Sequence, residues 1–223
     1  MLELNKLYLM DCMEGMKQFP DKYFEMALVD PPYGININMN IGLKKGHKKK
    51  RLQKNWDKSA PSKEYFDELF RISVNQVVFG GNYFSWLPSS KSFIIWDKGE
   101  CMYGRSFAEC EFAWTSFNDS ARIKKMSPTD MNRIHPTQKP IALYEWILSR
   151  YAKPGDKILD THVGSASSLI ACHRMGFDFV GFEIDPDYYR MASERLEAER
   201  SQIRWEDVAG RNAVWPTSRC SRG

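Results

Sequence analysis

Short apolar runs alternate along this chain with amphipathic stretches and with turns rich in Gly, Pro and Asp. Leu4–Leu9 reads as a strand ending before Asp11, and Cys12–Phe19 as one or two helical turns closed by Pro20-Asp21. Glu25–Val29 is a compact run expected to form a buried strand, and it stops at Asp30-Pro31-Pro32. Ser62–Ser73 has helical spacing, with Tyr65, Phe66, Leu69 and Phe70 on one side. Gln76–Phe79, Phe93–Trp96 and Glu111–Thr115 read as strands, the first broken by Gly80-Gly81-Asn82. Ser116–Arg133 is polar and turn-rich and is expected to be loop. Pro140–Tyr151 is helical, with proline in the first turn where its missing N–H costs little. Lys157–Asp160 is a strand, Ser165–Arg174 a helix ending near Gly176, and Phe179–Glu183 a strand. Asp185-Pro186 opens a last helix, capped by Asp185 and running to about Ile203. Strands alternating with helices, and apolar throughout in the last third, predict a mostly parallel sheet covered on both faces.

The 223 residues suffice for one well-buried α/β domain, expected over residues 1–210 with a frayed tail at 211–223. No run of about 18 apolar residues occurs, and the first residues lack a signal layout, so a soluble cytoplasmic protein is expected. The five cysteines never pair at CxxC spacing, and His47, His135, His162 and His173 form no ligand pattern, so no metal is expected.

Charge adds a local feature. The net charge is only +4, but residues 36–56 hold Lys44, Lys45, Lys48, Lys49, Lys50, Arg51 and Lys54 without one acid. The rest of the chain, with 25 basic and 28 acidic residues, is slightly acidic. This Gly- and Lys-rich stretch is expected to be a mobile loop that binds a phosphate backbone, a solvated charged loop being the alternative.

Two constellations carry chemistry. In Ala27-Leu28-Val29-Asp30-Pro31-Pro32-Tyr33-Gly34 a buried strand delivers an acid, two prolines and an aromatic at its C-terminal end, where open α/β sheets bind ligands. The prolines stiffen the turn and leave carbonyls without donors. Such an acceptor-rich turn suits a base amino group, whose lone pair is delocalised into the ring. The Asp30 carboxylate and the Pro31 carbonyl would each accept one amino N–H and free the lone pair, while Tyr33 would stack a flipped base. The plain alternative is a corner-turning loop. The second constellation, Lys157 to Ser168, runs from a strand through Gly164-Ser165-Ala166 into a helix, and Glu183 ends the next strand about twenty residues on, as in nucleotide-type sites. It is not GxGxxG, and a tight turn without ligand is the alternative.

Together these segments resemble the amino-methylating DNA methyltransferases. Asp30-Pro31-Pro32-Tyr33 matches their catalytic motif, and Asp160–Ser168 is similar to their cofactor loop, D-P-F-x-G-S-G-T-T. His135-Pro136-Thr137-Gln138-Lys139-Pro140 resembles their H-P-T-x-K-P segment, and Asp11-Cys12 their G-D-C segment, with Met10 in place of the glycine. The catalytic motif precedes the cofactor loop, the circularly permuted order of the beta class. The resemblance implies a Rossmann-like seven-stranded methyltransferase fold that binds S-adenosyl-L-methionine and methylates double-stranded DNA, with Asp30, Pro31, Pro32 and Tyr33 catalytic. It implies Asp11 at the cofactor adenine, Glu183 at its ribose, and Thr137 and Lys139 near its methionine end, with Asp160, Thr161, Val163, Gly164, Ser165 and Ala166 forming its loop. The turn Gly80-Gly81-Asn82-Tyr83 resembles a segment lining the cofactor pocket, a plain turn being equally consistent. Residues 91–133 would correspond to target recognition, with Trp96, Tyr103, Arg105, Trp114 and Arg122 as contacts, or with the aromatics in the core.

Thr161-His162 replace Pro-Phe and Ala166 replaces a glycine, so the loop is expected to differ slightly. Aspartate at position 30 implies adenine N6, with cytosine N4 an alternative by the same mechanism. A DNA-binding protein with weakened catalysis, or methylation of RNA or of a protein glutamine, are further alternatives. A restriction–modification setting accords with the family, and a domain this small could need a homodimer to cover its target.

Overall fold

The computed structural model describes residues 1–35, 57–105, 108–128, 134–135 and 137–202. The basic stretch 36–56, with Lys44, Lys45, Lys48, Lys49, Lys50, Arg51 and Lys54, and the tail 211–223 lie outside the described residues. The elements are β1 (Lys6–Leu9), α1 (Cys12–Met16), β2 (Phe24–Val29), α2 (Lys63–Ile72), β3 (Ser73–Phe79), β4 (Phe93–Asp97), β5 (Cys110–Thr115), β6 (Arg122–Lys125), α3 (Ile141–Tyr151), β7 (Lys157–Asp160), α4 (Ser167–Met175), β8 (Asp178–Glu183) and α5 (Pro186–Arg200).

All eight strands join one sheet in the order β1-β8-β7-β2-β3-β5-β4-β6. β1, β8, β7, β2 and β3 are mutually parallel, while β5 runs antiparallel to both β3 and β4. Strand alternation splits the core between the faces. Leu28, Val77, Phe79 and Ile158 pack with Leu143, Ile147 and Leu169 under α3 and α4. Ala27, Val29, Val78 and Leu159 pack with Met16, Phe66 and Leu69 under α1 and α2.

The sheet has one strand more than expected. β6, Arg-Ile-Lys-Lys, falls inside the stretch read as loop; it pairs in parallel with β4 at the sheet edge. A short, charged edge strand buries no face and so leaves no apolar alternation to read. β1 begins at Lys6 rather than Leu4 because Asn5 takes a left-handed φ of 61° and donates from its amide to Asp178. α4 begins at Ser167 rather than Ser165, because Ala166 is also left-handed.

In this order the chain moves outward through β7 and β8 on one side and through β2 and β3 on the other. The crevice beyond the C-terminal ends of β7 and β2 is therefore the topological switch point of the sheet. Four acids stand at or just beyond the C-terminal ends of four parallel strands: Asp11 after β1, Asp30 after β2, Asp160 closing β7 and Glu183 closing β8.

Candidate functional site

A cavity of about 570 Å³ opens at this switch point. That volume is within the range of small-molecule and cofactor sites. Asp30 and Pro32 line it from the β2 turn, His162, Val163, Gly164 and Ser165 from the β7 turn, and Glu183 to Pro186 from the end of β8. His135, Thr137, Gln138 and Lys139, just before α3, complete the wall with Tyr144 and Tyr188.

The β7 turn is held open by its own hydrogen bonds. Asp160 accepts from the His162 N–H at 3.0 Å and from the Ser168 hydroxyl, tying the strand end to the first turn of α4. Burial pushes the Asp160 carboxyl up to about 7, against those two donors. Thr161 bonds the Tyr65 hydroxyl at 2.7 Å and the His162 ring at 2.9 Å, so the residues standing where the family has Pro-Phe are both engaged locally. Burial holds the His162 imidazole down at about 4, hence neutral near pH 7. Gly164 has φ +54°, and a Cβ there would meet nothing closer than the His135 ring at 3.8 Å. Ala166, which stands where the resembled loop has a glycine, takes a left-handed geometry, φ 61° and ψ 19°, with its methyl fully buried. Arg195, which the sequence reading passed over, braces the turn from α5 by donating to the Ser165 carbonyl at 2.7 Å and the Ser167 hydroxyl at 2.9 Å.

Glu183 closes the adjoining wall. Its two oxygens accept from the Gly164 N–H and the Asp185 N–H, each at 2.9 Å. A carboxylate offers about four acceptor directions, so both oxygens retain capacity for a ligand's hydroxyls. Burial raises its pKa, although the two backbone donors oppose that. Asp11 does not line the cavity. It caps α1, accepting from the Met13 N–H at 2.7 Å, and stands beside the site because Leu9 pairs with Glu183 across β1 and β8. Thr137 lines the wall with its hydroxyl 3.0 Å from the His135 ring.

The Asp30 turn carries a dense charge cluster. Tyr33 donates its hydroxyl to Asp30 at 2.8 Å, and its ring stacks on Tyr83 at 5.0 Å and 15°. Lys139, 3% exposed, bonds Asp30 on its other oxygen. The same ammonium lies 3.2 Å from Glu111 and 3.3 Å from the Tyr33 hydroxyl, and 4.5 Å from the centre of the Phe79 ring. Glu111 in turn pairs with Lys98 at 2.8 Å. Burial alone would lower the Lys139 ammonium, but Asp30 and Glu111 outweigh it and hold it charged. Burial likewise raises Asp30 beyond what Lys139 takes back, with Glu111 adding to the rise. Lys139 thus lies on the cavity wall, its ammonium bonded to Asp30 and Tyr33 and paired with Glu111. Glu111 was missed at the sequence level; its signal is a charged residue inside the otherwise apolar β5.

Of the target-recognition candidates, Trp96 and Trp114 are core, their indole N–H groups donating to the carbonyls of Met126 and Pro88 at 2.8 Å each. Tyr103 and Arg105 are exposed, and Arg122 pairs with Asp119 at 3.0 Å. Among the described residues no helix is long and apolar enough to cross a membrane, and no cluster of three or more His, Cys, Asp or Glu could hold a metal.

Comparison with known proteins agrees with this geometry. A family model described as DNA methylase matches residues 95–194. Type II methyltransferase M2.DpnII of Streptococcus pneumoniae is 45% identical over 65 residues, and type II methyltransferase M.HpaI of Haemophilus parainfluenzae is 42% identical over 65 residues. Those segments cover 29% of this chain but only 24% and 21% of the two relatives, so the chain aligns with less than a quarter of their length. Among solved structures, the M1.HpyAVI–SAM complex superposes with a TM-score of 0.57 at 21% identity, over 86% of this chain and 98% of the other. The cytosine-N4-specific PvuII DNA methyltransferase gives 0.56 at 14% identity, over 87% and 90%. The likenesses to solved structures establish a shared Rossmann-like fold, and over the segments they match the family model and the curated relatives make this chain similar to the N6/N4 DNA methylases.

Proposed function

We propose that this chain transfers a methyl group from S-adenosyl-L-methionine to an exocyclic amino nitrogen of a base flipped out of double-stranded DNA, the atom being N6 of adenine. One observation carries the reading: Asp30, an acceptor suited to an amino group, and Glu183 with the Gly164 turn, acceptors and backbone suited to a nucleoside, line the same cavity.

The residues present fit the cofactor. Glu183 has acceptor capacity left for ribose hydroxyls, and Gly164 has no side chain to fill the space beside them. Ile184, 66% exposed on the cavity wall, and Pro186 offer apolar surface for an adenine ring. When bound, S-adenosyl-L-methionine supplies an electrophilic methyl group on a sulfonium. The chain's own part is to hold the nucleophile. Asp30 keeps two free acceptor directions after bonding Tyr33 and Lys139, enough for both N–H bonds of one amino group, and in this reading the carbonyl of the buried Pro31 serves beside it. Two accepted N–H bonds pyramidalise the amino nitrogen and free its lone pair, and positioning supplies most of the gain. Tyr33 has one face covered by Tyr83, so a base stacked on it would use the other. The basic residues of 36–56 belong to this reading as backbone contacts.

The test is to incubate the protein with S-adenosyl-L-methionine and unmethylated duplex DNA, digest to nucleosides and analyse by mass spectrometry, beside Asp30→Ala. N6-methyladenine absent from the variant is the expected result. N4-methylcytosine would keep the mechanism and overturn the base, and cofactor binding with no methylated base would overturn the reading.

A further inference from the structure

Asp30, Lys139, Glu111 and Lys98 form an unbroken chain of alternating charge, two acids and two cations. A Lys139–Asp30 pair alone would already be neutral. Glu111 is a second acid placed on the same ammonium from β5, and burying it has a desolvation penalty that core packing does not require. Lys98 offsets that penalty from the far side, and the two lysines hold Glu111 down at about 2 against burial. Lys139 therefore bonds Asp30 while its one charge is shared with a second carboxylate, Glu111, at 3.2 Å.

We propose that Glu111, its pull tempered by Lys98, is a positioning residue that offsets part of the hold of Lys139 on Asp30, so that Asp30 keeps its strength as an acceptor for the substrate amino group. This rests on the reading of Asp30 as that acceptor. A carboxylate bonded by an undivided ammonium is a weaker acceptor toward a neutral N–H, because its charge is already neutralised. The remaining groups facing Asp30 are Tyr33 on its own turn, Tyr65 from α2, Tyr144 from α3 and Asp160 from β7. Burial keeps the three tyrosines neutral, so Lys139 and Glu111 set the balance.

Two substitutions should move Asp30 in opposite directions. Glu111→Gln removes a like charge and gives Asp30 all of Lys139, so Asp30 titrates lower. Lys98→Met leaves Glu111 to draw harder on Lys139, so Asp30 titrates higher. The readouts are a carbon-13 carboxyl NMR titration of Asp30, assigned with Asp30→Asn, and the single-turnover methylation rate against pH. Shifts of about one unit in opposite senses are expected, with the acid limb of the rate profile following each. Cofactor affinity by calorimetry should change less than about twofold, since neither residue lines the cavity. Thermal melting identifies a variant that fails to fold; Lys98→Met, the outer member, then carries the test alone, and its sign still decides. Shifts in the same direction, or none, overturn the proposal. An active wild type with unmoved limbs overturns only this inference, whereas a wild type that methylates no base while Asp30 titrates as expected overturns the functional reading and leaves the charge linkage standing.

Discussion

Gly80 lies against the ring of Tyr33 so closely that a Cβ at position 80 would stand 2.2 Å from the Tyr33 Cε1. Gly80 also has φ +71°, where a side chain costs about 1–2 kcal/mol. Both facts require glycine at the end of β3, and Tyr33 bonds Asp30, so the turn after β3 sets the position of the acceptor turn after β2. Gly80→Ala should therefore lower stability by roughly 1–3 kcal/mol, strain and displacement together. It should reduce the methylation rate more than cofactor affinity. Denaturant unfolding and a comparison of single-turnover rate with calorimetric Kd check both parts; an unchanged rate would show that the Tyr33 ring does not govern Asp30.

The double acceptance at Glu183 separates charge from shape. Glu183→Gln keeps one acceptor oxygen and about the same volume, so it should fold, but it leaves either the Gly164 or the Asp185 N–H facing an amide donor. Cofactor affinity should fall about tenfold or more, as expected for the loss of a charged acceptor at hydroxyls. Isothermal titration decides this. Affinity within twofold of wild type would remove Glu183 from the ligand-binding wall.

At Ala166 three effects of similar size compete. Glycine would relieve left-handed strain of about 1–2 kcal/mol. It would also lose a buried methyl, about 0.8 kcal/mol, and gain unfolded-state freedom of about 0.4–1 kcal/mol. Ala166→Gly should thus leave stability within about 1 kcal/mol of wild type, despite introducing the glycine of the loop it resembles. Ala166→Val should cost more than about 2 kcal/mol, since a β-branched side chain fits neither the left-handed backbone nor a fully buried site. Thermal melting of the two variants measures the pair, and a tolerated valine would show that the turn relaxes.

Three strands in the parallel half of the sheet were legible because each ends in chemistry. Val29 runs into Asp30-Pro31-Pro32, Asp160 into a small-residue turn, and Glu183 into Asp185-Pro186, so motif and strand end marked each other. β6 was not legible, since an edge strand of Arg, Ile and two Lys buries nothing that would set a period. The Lys139–Glu111 contact was hidden for a different reason. It joins residues 28 apart in sequence through the antiparallel insertion of β5 beside β3, a pairing that no local pattern specifies. Arg195 was likewise invisible, because an arginine on a helix reads as solvent-facing until the turn it braces is placed beside it.

Asp160 and His162, two residues apart in one turn, should have opposite and overlapping effects on stability with pH. The Asp160 carboxyl sits at about 7 when folded against 3.8 ordinarily, so the folded state binds the extra proton between those values. Its stabilising contribution is complete below pH 3.8 and is lost as pH rises through 7. The His162 imidazole sits at about 4 against 6.5 ordinarily, so the unfolded state binds the extra proton, and stability is lost as pH falls from 6.5 towards 4. At roughly 1.4 kcal/mol per unit, each effect amounts to a few kcal/mol. In the wild type the two slopes largely cancel between pH 4 and 6.5, leaving a decline only near pH 7. Asp160→Asn, which can still accept from the His162 N–H, should expose the histidine slope, with stability rising from pH 4 to 6.5. His162→Gln should expose the aspartate slope, with stability falling over the same range and on to pH 7. Urea unfolding at half-unit pH steps on the three proteins reads the slopes directly. Parallel profiles would mean that neither group titrates with the perturbation its burial implies.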